Sequence, residues 1–139
     1  MAKEENNNTH LNEITRVSSG TEIKGILTSK TDIRIDGRFE GNIVTKGKLV
    51  IGEKAFVTNS VVVCQSADLW GTIEGDIFVS DVLSLKNSAA FTGDLNVPKL
   101  TIDVGAKFNG KCKVITEQEF ASLTKEFWPE EDKAATVKK

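Results

Sequence analysis

The 139-residue chain lacks most of the side chains on which enzymes of repeat architecture rely. It has a single histidine, His10, two cysteines, Cys64 and Cys112, and no tyrosine. Acyltransferases of repeat architecture need a histidine base, and a zinc site needs several imidazole or thiolate ligands. The two cysteines, 48 positions apart, form neither a disulfide framework nor a metal-ligand spacing. The composition therefore predicts no catalytic centre, no metal and no cofactor.

The sequence also lacks a long apolar run, a basic excess and a phosphate-binding loop. No apolar stretch approaches the 18 residues of a membrane-spanning helix, and the first residues lack the apolar core of a signal peptide. The formal net charge is −2, and no Gly-x-x-x-x-Gly-Lys-Ser/Thr pattern occurs. Nucleic-acid binding would need a marked basic excess. We expect a cytoplasmic protein that binds neither nucleotide nor nucleic acid.

A short unit recurs six times, with two apolar residues flanking a central glycine or other turn-forming residue. The units occupy residues 23–27, 39–43, 57–61, 73–77, 91–95 and 108–112, with centres 16, 18, 16, 18 and 17 positions apart. Apolar and polar side chains alternate within each unit, which is typical of a β-strand because residues i, i+2 and i+4 share one face. The period is too short for helical repeats. The pattern predicts an all-β solenoid.

A second apolar pair precedes most units, so each coil should hold two or three short strands separated by turns. Stacked coils lie about 4.8 Å apart, and six of them make a rod about 30 Å long. Stacking predicts an interior ladder of Phe39, Val57, Ile73, Phe91 and Phe108. We expect a single-domain parallel β-helix of about six coils, right-handed because crossovers between parallel strands have that hand as a rule.

The segments outside the repeats are short and polar. Residues 1–16 carry a net charge of −1 and no strand pattern, and we expect a disordered tail there. The β-helical core is expected at residues 17–116, and a C-terminal tail with a net charge of −2 at residues 117–139. The apolar residues Leu11, Ile14 and Val17 near the start are too few for strong membrane attachment. We therefore expect weak or no direct membrane binding.

A helix is predicted where the C-terminal tail begins. Thr116 and Glu119 form a capping-box pattern that precedes Phe120, Leu123 and Phe127. The three apolar residues are spaced 3 and 4 apart, as on one face of a helix at residues 117–128. A helix of this length is marginal alone in water and needs a hydrophobic surface. Two readings stay open: the helix docks on the exposed end of the β-helix and restrains assembly, or the tail is disordered and its aromatic residues bind another protein.

The two ends of such a rod are candidate assembly surfaces. A terminal coil exposes unpaired strand N–H and C=O groups together with an apolar cross-section, so a monomeric solenoid needs polar caps. Neither predicted end has charged residues among its inward positions that would oppose association with another chain. The N-terminal end offers Val17, Ile23 and Leu27, and the C-terminal end offers Phe108, Cys112, Val114 and Ile115. The sequence therefore predicts self-association through the ends.

The amino-acid sequence of the core resembles that of the bactofilins, a family of bacterial cytoskeletal proteins. The resemblance covers roughly residues 17–116 and is most specific at Asp32-Ile-Arg-Ile-Asp-Gly-Arg-Phe-Glu-Gly-Asn-Ile43. It implies a right-handed β-helix that polymerises end to end without nucleotide. It also implies a scaffold for cell-wall or membrane-associated proteins, in the cytoplasm at the inner face of the cell membrane. The polar start of the chain departs from the apolar and basic segment of membrane-binding members.

Two other function classes stay open on the residues alone. The first is a β-solenoid enzyme or carbohydrate-binding domain. It stays open because apolar residues recur at every sixth position over parts of the sequence, as in the left-handed β-helices of hexapeptide-repeat acyltransferases. Within that class, Asp76 and Asp94 occupy equivalent positions in neighbouring units, and two readings stay open for them: a shared cation site and ordinary polar surface residues. The second is a monomeric adaptor whose ends are capped by its own tails.

Overall fold

The computed structural model describes residues 14–125, which form ten β-strands and one α-helix. The strands are β1 (Ile14–Val17), β2 (Glu22–Ser29), β3 (Asp32–Ile35), β4 (Arg38–Thr45), β5 (Lys48–Ile51), β6 (Phe56–Leu69), β7 (Thr72–Leu85), β8 (Ala90–Val97), β9 (Lys99–Ile102) and β10 (Lys107–Val114). Helix α1 (Glu117–Thr124) follows β10. No helix in this part of the chain is long and apolar enough to cross a membrane.

The strands stack in two rows of parallel neighbours. One row contains β1, β3, β5, the second halves of β6 and β7, and β9. The other contains β2, β4, the first halves of β6 and β7, β8 and β10. One segment from each row makes one coil, so residues 14–114 form coils 1 to 6, from the β1–β2 coil to the β9–β10 coil. The predicted parallel β-solenoid of about six coils is confirmed.

Interior ladders run through all six coils. The strand register places Phe39, Val57, Ile73, Phe91 and Phe108 in one column, as the repeat predicted, with Ile23 as its first member. The four residues Phe39, Val57, Ile73 and Phe91 are buried. Each such side chain contributes about 1.5–3 kcal/mol relative to an exposed one. The columns stabilise the rod only where a coil is covered on both sides.

Coil 3 departs from the repeat because it contains an extra residue. The pairing of β4 with β6 shifts between Glu40 and Asn42, and Ser60 rather than Asn59 pairs with Gly75. Asn59 takes a left-handed conformation with φ of 47°. An inserted residue reverses the faces of the following residues. Val62 therefore points inward and is buried, whereas Val61, the expected flank of this unit, faces outward.

The central glycines of the repeat are required by the close approach of neighbouring coils. Gly93 has a φ of 137°, a region that residues with a Cβ rarely adopt. A Cβ atom at this position would collide with the carbonyl oxygen of Gly75 in the coil beside it. Gly25 has almost the same φ, 138°, but lies in coil 1, and a Cβ atom there would meet nothing within 4 Å. The steric requirement is thus a consequence of stacking.

The core begins earlier than the repeats indicated. Residues 14–16, expected in a disordered tail, belong to β1 and pair with β3, so that part of the assignment was wrong. The register places Thr15 and Val17 on the inward face, opposite Ile33 and Ile35. A threonine in an inward position hides the apolar alternation by which a strand is recognised. Residues 1–13 lie outside the described part of the chain.

We predict that Gly93→Ala lowers stability more than Gly25→Ala. Both substitutions place an alanine at a φ near 137°, a region almost restricted to glycine, at a cost of about 1–3 kcal/mol. Gly93→Ala also forces neighbouring coils apart, an overpacking cost of about 1–3 kcal/mol. Urea unfolding of dilute, unassembled protein, followed by circular dichroism, measures the difference. Equal midpoints for the two variants would show that stacking does not require the glycine.

Candidate assembly surfaces

The two ends of the described β-helix expose strand edges. Strand β1 pairs only with β3, and β2 only with β4. At the other end, β9 pairs only with β7, and β10 only with β8. Within residues 14–125 each of these four strands thus has one edge whose N–H and C=O groups are available to another chain. Both ends are templates for a further coil.

The C-terminal end is strongly apolar. Its inward rungs are Leu100, Ile102, Phe108, Cys112 and Val114, which continue buried columns of coils 2 to 5. Val114 is 71% exposed and Ile102 is 46% exposed, while Phe108 and Leu100 are half-buried. The ring of Phe108 packs on that of Phe91, with 5.7 Å between centroids. These side chains are incompletely covered because the described residues contain no seventh coil.

The apolar pair that precedes the last unit is Leu100 and Ile102, and the sequence analysis did not assign these two residues to the C-terminal end. The last unit of the repeat, residues 108–112, lies in β10 and predicts only that strand of the terminal coil. The register of β9 with β7 shows that the β9 segment lies in the same terminal coil. Counting the pair that precedes each unit as part of the same coil would have located both residues.

The N-terminal end is smaller and more polar. Its rungs are Thr15, Val17, Ile23, Leu27 and Ser29. Ile23 and Leu27 are half-buried, so both can gain from a further coil, and their part in assembly stays a prediction. Val17 is only 3% exposed and therefore offers little surface to a partner. The C-terminal end thus has five apolar rungs, whereas the N-terminal end has three, Val17, Ile23 and Leu27.

Large exposed apolar side chains concentrate in the terminal coils. Among the described residues, Ile14 and Ile26 lie in coil 1, and Ile102, Val104 and Val114 lie in coil 6. The others are Phe56, Trp70 and Leu123. Phe56 and Trp70 are each accompanied by a cation, since Arg38 lies 4.9 Å from the centroid of Phe56 and Lys86 lies 5.6 Å from that of Trp70. Of the five residues in the terminal coils, only Ile102 and Val114 are inward rungs, because Ile14 and Ile26 face outward and Val104 lies in the turn between β9 and β10.

Helix α1 forms as the capping-box pattern predicted. The Thr116 hydroxyl accepts a hydrogen bond from the Glu119 N–H at 3.1 Å, and the Thr116 N–H donates to the Glu119 carboxylate at 2.9 Å. The first turn contains Glu117 and Glu119, which favour the positive end of the helix dipole. The described helix ends at Thr124, so Phe127 lies outside the described residues.

The expected docking of α1 on the end of the β-helix was wrong. Phe120 is 7% exposed and forms one buried cluster with Ile115, Val44 and Val63. Val44 and Val63 face outward on the side of coils 2 and 3, so α1 lies on a side of the rod. Leu123 is 42% exposed and does not belong to the cluster.

The reason is a property of the side face that the repeat pattern did not show. Register places Val44, Val63 and Phe78 in one outward column, where polar residues are the rule. This apolar column attracts Phe120 and also Ile115, which is 2% exposed. Ile115 therefore leaves the terminal rungs and turns to the side. Val114 remains at the end.

The described residues contain no cluster of three or more histidine, cysteine, aspartate or glutamate side chains that could hold a metal. Asp76 and Asp94 are neighbours in register, but no third ligand joins them. Burial raises the pKa of the Cys64 thiol to about 12, so this residue stays protonated and inert at neutral pH. His10 lies outside the described residues.

In the described residues the β-solenoid has apolar rungs and unpaired strand edges at both ends, on which a further coil can stack. Residues 15–113 match the family model described as "Bactofilin: Polymer-forming cytoskeletal". The chain belongs to this family of bactofilins. It is a cytoskeletal, polymer-forming protein and not an enzyme.

Similar proteins agree with this assignment. Bactofilin BacO of Myxococcus xanthus is 30% identical over 96 residues, which are 69% of this chain and 75% of BacO. Bactofilin BacP of the same organism is 29% identical over 89 residues, which are 64% of this chain but only 37% of BacP. In a cryo-EM reconstruction of Thermus thermophilus bactofilin double helical filaments, the solved chain matches with a TM-score of 0.67 and 28% identity. That match covers 73% of this chain and 99% of the other.

We predict that Phe108→Arg blocks polymerisation and leaves the β-helix folded. In a joint between ends the guanidinium would be buried without a partner, at a cost of several kcal/mol. In the free coil the same side chain bends toward water. Pelleting and circular dichroism measure assembly and folding.

The control is Phe56→Arg, which places arginine at an exposed aromatic position on the side of coil 3. Filaments of Phe56→Arg should pellet like the original protein. Filament formation by Phe108→Arg would refute the joint, as would collapse of its β-sheet signal.

Proposed function

We propose that this bactofilin assembles end to end, without nucleotide, into filaments. The observation that carries the proposal is that the inward rungs of the terminal coils are apolar and incompletely covered, next to unpaired strand edges. Ile102 and Val114 are exposed, and Leu100, Phe108, Ile23 and Leu27 are half-buried. Joining two ends buries these rungs and pairs the edges in one step. The joint is thus chemically the same as the contact between coils inside the protein.

The filaments then serve as a scaffold for cell-envelope or cell-shape machinery in the cytoplasm, at the inner face of the cell membrane. The family's cytoskeletal character supports this part of the proposal. Direct membrane binding is weak or absent, because Ile14 and Val17 belong to β1 and are committed to the fold. Strong flotation of unassembled protein with anionic liposomes would contradict this. Filaments pair side by side, as in the double helical filaments of T. thermophilus bactofilin.

The joint most favoured by the exposed surfaces brings two C-terminal ends together. The C-terminal rungs include Leu100 and Val114, where the N-terminal rungs have Thr15 and Ser29. Pairing like with like at the more apolar end removes the most apolar surface from water in a single contact. Such an isologous joint, alternating with one between N-terminal ends, gives a filament without polarity.

We predict that assembly does not respond to nucleotide or divalent metal. The free energy comes from apolar burial and strand pairing, and the sequence has no phosphate-binding loop. Sedimentation across a dilution series should give the same threshold with ATP, with GTP, with EDTA and with no addition. Sedimentation that appears only after nucleotide is added would sink the proposal.

We predict that oxidation of assembled filaments links the chains into dimers through Cys112. Cys112 is an exposed rung of the C-terminal end, whereas Cys64 is buried. Desolvation raises the pKa of the Cys112 thiol, so mildly alkaline conditions are needed to form the thiolate. Non-reducing electrophoresis measures the dimers, and unassembled Phe108→Arg should give none.

A joint between unlike ends leads to a different result. Cys112 would then face Leu27 of the next copy if the ladders continue in register. Wild-type filaments would give no dimers, while Leu27→Cys filaments would give a ladder of linked chains. That combination would overturn the isologous joint and leave end-to-end assembly intact.

A further inference from the structure

The hydrogen bonds of β10 leave every second N–H group of this strand at its open edge. The N–H of Lys107 donates to the Ala89 carbonyl at 2.9 Å. The N–H of Ile115, just beyond the strand, donates in the same way to the Val97 carbonyl at 3.3 Å. Because alternate residues of a parallel strand donate to the same neighbour, the donors toward β8 are odd-numbered. The N–H of Gly110 therefore points to the edge that no described strand covers.

An asparagine immediately precedes this open N–H group. Residues 109 and 110 are the one Asn-Gly pair of the chain. The strand register places Asn109 on the outward face of coil 6, and both Asn109 and Gly110 are exposed. Glycine has no Cβ, so no side chain shields the Gly110 nitrogen. An asparagine amide and an unpaired backbone nitrogen thus adjoin each other at the end of the rod.

These two groups can react with each other. The Gly110 nitrogen attacks the side-chain carbonyl carbon of Asn109 and forms a new C–N bond. The bond from that carbon to the side-chain nitrogen breaks, and this nitrogen takes the proton of the Gly110 amide and leaves as ammonia. Water then opens the resulting succinimide ring, either to aspartate or to isoaspartate. The reaction needs water as its only partner and involves no change of oxidation state.

The attack requires the backbone of Asn109 to leave the extended conformation, so β10 has to open locally. Strand β10 pairs only with β8, and segments with few neighbours open at a lower free energy than interior ones. Asn96 lies in β8, which pairs with both β7 and β10. Opening at Asn96 would break contacts on two sides, whereas opening at Asn109 breaks contacts on one.

We propose that Asn109 is a site of spontaneous deamidation, which proceeds while the C-terminal end is free and disables that end for assembly. This inference rests on the proposed function, because a joint between ends would cover the open edge of β10. The Gly110 N–H would then have an acceptor in the second copy, and opening of β10 would disrupt pairing on both sides. Joined ends are protected, and unjoined ends react.

Only one of the two products damages the end. Aspartate keeps the length of the backbone and places a carboxylate at an outward position, beside Lys107 and Lys111 on the same face. Isoaspartate leads the chain through the side-chain carbons and adds a methylene group to the backbone of β10. Cys112 and Val114 then no longer continue their inward columns. The apolar rungs and the strand edge are both spoiled for a joint.

The rate is measured by mass spectrometry of peptides from full-length protein incubated at mildly alkaline pH. Protein kept below its assembly threshold should accumulate product at Asn109. Filaments should do so at least about tenfold more slowly, equivalent to about 1.4 kcal/mol of added protection against opening of β10. Phe108→Arg at the filament concentration is the matched control and should react like the dilute protein. Asn87 lies exposed in a turn between β7 and β8, and its rate should be the same in all samples.

The effect on assembly is measured by pelleting after the incubation. Aged dilute protein should need a higher concentration to form filaments than fresh protein does. Asn109→Gln has a longer side chain that does not close a succinimide ring, so its threshold should be the same before and after incubation. Asn109→Asp carries the carboxylate without the added methylene group and should assemble at the threshold of the fresh protein.

Four results would overturn the inference. These are equal rates at Asn109 in filaments and in dilute protein, an unchanged threshold of the aged protein, an equal rise in aged Asn109→Gln, and a raised threshold of fresh Asn109→Asp. Failure of the proposed function is recognised separately, before any ageing. Fresh protein would then form no filaments, or Phe108→Arg would form them as well.

Discussion

The contact between successive coils is the interaction on which the rest of the structure depends. Each coil alone has an apolar interior too thin to exclude water, and its strand N–H and C=O groups have no partners within the coil. Stacking at strand spacing meets both needs, and it requires glycine where Gly93 approaches Gly75. The first and last coils receive only half of this contact. The open ends are therefore a direct consequence of the way in which the interior is built.

The sequence predicted those features that follow from a period of two within strands and of about 17 between coils. The ladder from Phe39 to Phe108 was found in this way. The capping box was found from the spacing of Thr116 and Glu119. The inward face of coil 3 was not predicted correctly, because the extra residue near Asn59 changes which valine faces inward. A run of valines fits either register. The inward Thr15 likewise concealed β1.

The location of α1 could not be predicted because it depends on a surface assembled from distant parts of the chain. Val44 and Val63 meet only when coils 2 and 3 are in register, and an outward valine in either coil means little by itself. The end of the rod offered a more obvious apolar surface for Phe120. The helix instead fills the side, which leaves Val114 and Phe108 accessible for a joint.

This division of surfaces bears on how the proposed end-to-end joint is controlled. If the joint uses the same apolar burial and strand pairing as coil stacking, protein concentration sets its extent. Helix α1 packs on the side of coils 2 and 3 and does not cover Phe108 or Val114. Its release should therefore leave the threshold for joining ends unchanged, whereas a factor that covers Phe108 should raise that threshold.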